Sequence, residues 1–248
     1  MRTATIMGLV LVVMSHVPCM GDTLVDKGSA KTDIIISKDA SPSASLAARE
    51  LQYCISQMTG CTLPMVESTH EFSGLRIVRT GSALSPNSLS LTPASMELKQ
   101  YEYVIQFRDG EIILLGHDAR GSTGTEIDYR AATEQKGDAD VIQIPGMFDD
   151  QGTLKAAYHF LESHCGVRFF GPKNDAVHFP QRSSLVVNPK NVRHEPSIKH
   201  ASGSLTWDWP IMKAQYGNPS TASKELFSRR MRLGGIPWYT NHTLHGYP

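Results

Sequence analysis

Two pairs of acids, Asp138 with Asp140 and Asp149 with Asp150, have the residue type that acid–base chemistry needs. Hydrolysis of a glycosidic bond uses two carboxyl groups facing each other across the scissile bond, one as acid and the other as nucleophile or base. Both pairs lie in Ser122 to Asp150, a charged, glycine-dotted and weakly periodic stretch. Solvated loop acids are the plainer reading there, so no catalytic residue is assigned. Trp207 and Trp209, flanking Asp208, would suit a sugar platform, because the C–H faces of a pyranose stack on aromatic rings. They equally suit a half-buried strand with alternating sides. Asn241, His242 and His245 are the best candidates for ligand binding. Two histidines at i and i+3 could hold a metal, but no third ligand stands nearby, and no metal site is assigned.

Other signals point away from chemistry. Gly116-His117-Asp118-Ala119-Arg120-Gly121 lacks the Gly-Lys-Ser/Thr ending of a phosphate loop. A turn in which Asp118 bonds local backbone amides accounts for it, and no cofactor is assigned. The cysteines Cys54, Cys61 and Cys165 form no C-x-x-C pair, and Cys54 and Cys165 fall on apolar stripes, as small buried hydrophobes do. Charge is balanced at +0 with pI ≈ 7.1, which suggests neither nucleic acid nor an anionic membrane surface as partner. At the N-terminus, Arg2, an apolar run from Ala4 to Val13 and small residues up to Gly21 have the layout of a secretory signal peptide over residues 1–21. Cys19 fits a lipoprotein site poorly, because Val17 and Pro18 precede it. Export to the periplasm or medium follows, with no membrane association once the signal is removed.

The elements that would position these residues are read from periodicity. Ala47, Leu51, Cys54, Ile55 and Met58 form one helical stripe; Ser41-Pro42 offers an N-cap and first position, and Gly60 a stop. Leu154, Ala157, Tyr158, Leu161 and Cys165 form a second stripe ending at Gly166, with a short strand from Val167 to Phe170. Asp33 to Ser37 and Leu75 to Arg79 read as strands, and Tyr101 to Phe107 and Glu111 to Leu115 as a hairpin around a type I′ Asp109-Gly110 turn. Ser82 to Ser95, rich in Ser, Pro and Asn, reads as a surface loop. The fold class is α/β in the sense of an α+β sandwich, a mixed sheet with two helices packed on it.

The two helical phrases carry a resemblance. Ala48, Glu50, Leu51, Tyr53, Ile55, Met58, Thr59, Gly60, Leu63 and Pro64 match one phrase. Gly152, Thr153, Leu154, Ala156, Tyr158, Phe160, Leu161, Glu162, Gly166, Val167, Arg168, Phe170 and Pro172 match the other. Together, over roughly residues 33–200, the chain resembles the N-terminal domain of family 67 α-glucuronidases, related to the second domain of family 20 β-hexosaminidases. It looks most like a bacterial family of unknown function that carries this domain ahead of a glycoside hydrolase barrel. Lys155 stands where that phrase usually has Tyr, and Phe169 where it has Trp.

The resemblance implies an α/β domain over residues 22–193, with 122–150 as an insertion, and the first elements of a β/α barrel over 194–248. In that second unit an extended run to Trp209, a helix near Ser223 to Leu233 stopped by Gly234-Gly235, and a strand from Ile236 to Tyr239 are expected. Asn241, His242 and His245 would then follow the second barrel strand, at the face where barrels place active sites. A barrel needs about 200 residues or more, so the catalytic part is expected to be mostly absent and the tail poorly packed. Family catalytic acids lie on later barrel strands, and none can be carried over. Ala201 stands where the sugar-binding Arg of family 20 would be, which argues against a hexosaminidase-like pocket. The implied function is the non-catalytic portion of a secreted, carbohydrate-active protein; the alternative is an exported polysaccharide-binding module without enzymatic activity.

Overall fold

The computed structural model describes residues 21–201 and 210–236, without the side chains of 210–212. Its centre is a six-stranded mixed sheet. From one edge to the other the strands are Val192–His194, Tyr103–Arg108, Glu111–Gly116, Leu75–Arg79, Thr32–Ser37 and Met65–Ser68. Only the last neighbouring pair is parallel; the other pairings are antiparallel. The hairpin turns where expected, with Asp109 at φ 53° and Gly110 at φ 78°, the positive pair that a type I′ turn requires.

Two helices cover one face of this sheet. Pro42–Thr59 begins at Ser41, whose Oγ accepts the Ala44 amide at 3.0 Å, and ends at Gly60 in the left-handed region. Gly152–Phe160 continues as a π turn over Leu161–Cys165 and stops at Gly166, φ 85°. The π turn widens the helix end, and both Leu161 and Cys165 stay buried. Every residue of both expected stripes is buried. The helices pack on each other and on the strands, and share one apolar core with Ile34, Leu75, Ile77, Ile105, Ile112 and Leu114. The start of the second helix lies so close to the end of the Glu111–Gly116 strand that a Cβ on either Gly116 or Gly152 would sit 2.6 Å from the other's Cα. Glycine is required at both positions for that approach.

The opposite sheet face is covered too, by a segment expected to be plain surface loop. Leu98, Val104, Ile113 and Leu115 form a small second core, with Leu91 and Met96 against it. The apolar spacing in the Ser82-to-Ser95 region is too sparse to announce this role, and its cover is a short helix, Pro86–Leu89, followed by turns.

Among the described residues beyond His194, the segment 221–235 is packed on the domain, contrary to the expectation of a poorly packed tail. The helix Thr221–Arg230 packs on the short helix Tyr129–Ala132 and buries Leu226, Phe227, Arg229 and Arg230. It ends before the glycine pair, through Met231 and Arg232 (φ 55°). Gly234 and Gly235 instead form a two-residue strand, antiparallel to His200–Ala201, where a Cβ would fall 1.7 Å from the Met147 carbonyl oxygen and 2.0 Å from that of Lys199. Among the described residues no closed barrel forms, and no helix is long and apolar enough to cross a membrane.

Candidate functional site

Trp207, Trp209, Asn241, His242 and His245 lie outside the described residues, as do residues 1–20 of the expected signal segment. The paired acids are described, and they do not face each other across a cleft. Asp149 accepts the amides of Thr123 (2.9 Å) and Gly146 (2.7 Å) and the Thr123 hydroxyl (2.7 Å). Burial opposes its charge, but these hydrogen bonds hold the carboxyl below its ordinary range. Asp140 pairs with Arg49 at 3.3 Å, Asp150 accepts from Gln100 Nε2 at 3.4 Å, and Asp138 is exposed. The stretch is also more ordered than a solvated loop: Glu126–Asp128 and Val141–Gln143 pair as a hairpin whose connection is the helical turn capped by Asp128.

Asp118 departs from the local turn expected of it. Its Oδ1 accepts the amide of Thr153, at the start of the second helix, at 2.9 Å. Its Oδ2 accepts the hydroxyl of Ser41, the cap of the first helix, at 2.9 Å. One carboxylate thus joins two helix N-termini, where the helix dipoles favour negative charge. Burial still dominates and pushes its pKa up to about 6.

A second charged group is wholly enclosed. Glu50 lies inside the apolar stripe of the first helix, 0% exposed. Arg230 meets it in a two-point contact, Nε to Oε2 at 2.8 Å and Nη2 to Oε1 at 3.0 Å. The Tyr129 hydroxyl donates to Oε1 at 2.5 Å. The Phe169 ring lies 5.1 Å and the Tyr53 ring 6.0 Å from the guanidinium carbon. Burial works against the arginine charge, but the Glu50 carboxylate more than offsets it, and the guanidinium is held well above its ordinary range. The Tyr158 hydroxyl is buried beside this pair, and burial and the Glu50 carboxylate push its pKa well up. Because Glu50 and Arg230 are both enclosed, at 0% and 1% exposure, their contact acts as a lock between the first helix and the segment after His194.

One cleft among the described residues lies at the sheet edge. Tyr101, Tyr103, Lys155, His194, Lys199 and Arg232 line a cleft of about 90 Å³, together with Pro196, Ile198, Ala201 and Gly234. The register sets this up: Tyr103 and His194 are direct cross-strand neighbours, with rings 5.0 Å apart. Lys155 and His159, one helical turn apart, share the helix face that overhangs them. The Tyr103 hydroxyl lies 3.2 Å from His159 Nδ1, and burial pushes its pKa up to about 12. Burial lowers His159 and His194, and nearby Arg232 adds to both effects. Arg232 is engaged with Glu162 at 2.6 Å and Lys199 with Glu195 at 2.6 Å. The Lys155 ammonium has neither a hydrogen bond nor an ion pair among the described residues; it lies 5.8 Å from the Tyr101 ring centroid.

Sequence reasoning missed both the lock and the cleft. The signal for the first was an acid on an apolar stripe: Glu50 falls three residues after Ala47 and four before Cys54. For the second it was Lys155, a cation in the second apolar stripe's helix where the resembled phrase has Tyr. Among the described residues, no grouping of three or more His, Cys, Asp or Glu side chains could hold a metal ion. No family model matches the chain, and no curated protein matches it either.

Proposed function

We propose that this chain is the non-catalytic α/β portion of an exported, carbohydrate-active protein of glycoside hydrolase type, and that its role is to brace the polypeptide that follows His194. The observation carrying the bracing role is the buried contact of Arg230 with Glu50, which joins the first helix of the sheet domain to the helix that follows it. A rigid carrier needs such a join, because a loose tail would lose the fixed geometry that carbohydrate chemistry demands of opposed carboxyl groups. The carbohydrate assignment is supported by the two phrases around Glu50 and Leu154, and export to the periplasm or medium by the layout of residues 1–21.

Hydrogen exchange tests the bracing. Amides of Thr221–Arg230 should be protected in the parent chain and lose that protection in Glu50→Gln while the sheet keeps its own; equal protection in both would sink the proposal. For the carbohydrate-active part, nitrophenyl glycosides and uronides should not be turned over by this chain. Turnover abolished by changing Asp149 or Asp150 would replace a non-catalytic role with a catalytic one. The mature N-terminus of exported protein should fall near Asp22, and an intact Met1 on exported material would remove the signal peptide from the account.

A further inference from the structure

Lys155 is 8% exposed, and an ammonium so enclosed without a close counter-charge is costly. The other cations of the cleft have been neutralised, Arg232 by Glu162 and Lys199 by Glu195, so the cost falls on this one group. Its position adds to the cost. It lies one turn into the Gly152–Phe160 helix, near the positive end of the helix dipole. Lys155 lines the cleft with Tyr101, Tyr103 and His194, its ammonium 5.8 Å from the Tyr101 ring centroid. A cleft of about 90 Å³ is far below the several hundred Å³ of a site for a drug-sized ligand. It has room for a few waters or for one small charged group.

We propose that this cleft is a binding site for a single oxyanion, the carboxylate or phosphate of a small ligand, received by the Lys155 ammonium. Carboxylate and phosphate present the same acceptor oxygens to an ammonium, which as a compact point charge suits either. The lowered pKa of Lys155, caused by burial and opposed by Asp150, agrees with a cation lacking a close counter-charge. The site does not depend on the bracing role: Glu50 and Arg230 do not line the cleft, and either proposal can fail alone.

The test uses the full chain, with sodium acetate and sodium phosphate titrated against sodium chloride at matched ionic strength. Resonances of His159 and His194 report binding beside the ammonium, and thermal unfolding reports the fold. Saturable shifts with acetate, phosphate or both, absent with chloride, are expected, and the anion that saturates at lower concentration names the preferred chemistry. Lys155→Met should weaken binding at least tenfold and leave the melting temperature unchanged or higher, because it removes an uncompensated buried charge while keeping the stem's volume. Lys155→Arg, which keeps the charge, should retain measurable binding. Shifts that never saturate, shifts equal to those with chloride, or a Lys155→Met chain that binds as the parent does would overturn the proposal. A lowered melting temperature in Lys155→Met would also count against it, since the lysine would then already be satisfied within the fold.

Discussion

Both faces of the sheet bury an arginine, and they solve the problem in opposite ways. On the helix-covered face Arg230 meets a carboxylate at two points, and Glu50 keeps it firmly charged. On the loop-covered face Arg76 is equally enclosed, yet its partners are neutral. It donates to the carbonyls of Ser73 (2.9 Å), Leu75 (3.1 Å) and Ser88 (2.8 Å) and to the Ser88 hydroxyl (3.0 Å), with the Phe72 ring 4.9 Å away. Glu111, buried on the same face, accepts the Ser85 amide through Oε1 and leaves Oε2 without a hydrogen bond. It raises the arginine only from a distance, so burial prevails and Arg76 falls to about 10. A direct ion pair fixes two elements to each other, whereas an arginine spread over carbonyls staples one irregular segment onto a sheet.

The contrast is tested most severely by removing one partner of the ion pair. Arg230→Ala leaves Glu50 buried and unpaired, and urea unfolding should show a loss of about 3–5 kcal/mol. The double change Glu50→Leu with Arg230→Met should recover most of it, because no charge is then stranded. Arg76→Met should cost less, roughly 1–3 kcal/mol, as it strands neutral carbonyls. Its hydrogen exchange should rise in the Ser82-to-Leu98 segment and leave the helices protected. If the two arginine variants lost the same stability with the same exchange pattern, the distinction between lock and staple would fail.

A smaller effect is expected at Gly166, which ends the second helix on the ion-pair face. Its φ of 85° is unfavourable for a side chain branched at Cβ, so Gly166→Val should cost about 1–2 kcal/mol in thermal or urea unfolding. The mildest test is acidification. Burial lowers the pKa of His159, His164 and His194, so the fold prefers their neutral rings. Their contribution is fully present above the ordinary histidine pKa of about 6.5 and shrinks as the pH falls below it. Protection factors of the Gly152–Phe160 amides, corrected for the intrinsic base-catalysed rate, should therefore fall between pH 7.5 and 5.5 more than those of the Ser82-to-Leu98 segment. Equal loss of protection in the two segments would assign the effect to the whole molecule.

What could be read from the sequence divides along the same line. The helix stops at Gly60 and Gly166 and the Asp109-Gly110 turn were legible because each depends on its own neighbours. The stripes were legible because one face of each helix meets an apolar sheet. Arg230 was not, since its partner lies on an element at the other end of the domain and a basic residue late in a helix looks like ordinary dipole compensation. The cover over Arg76 was hidden for a different reason: Ser88 and the carbonyls that satisfy it belong to a segment whose composition announces only turns. Of the candidate site, Tyr103 fell within the expected Tyr101-to-Phe107 strand. Lys155 was noticed only as a departure from a phrase, and nothing local linked it to His194 across the sheet edge. The tryptophans and the Asn241, His242 and His245 group, chosen for residue type, fall outside the described residues.

Asp118 carries a consequence for how the domain assembles. It serves the cap of the first helix and the opening amide of the second, so neither helix start is complete until chain segments far apart in sequence have met. The entropy of closing those loops must be spent before that contact returns anything, which ties folding rate to topology rather than to helix propensity. The Gly116–Gly152 approach acts at the same junction and admits no slack. Severing the chain between the two helices would therefore give halves that each lack a helix start, and neither half would be an independently folding unit.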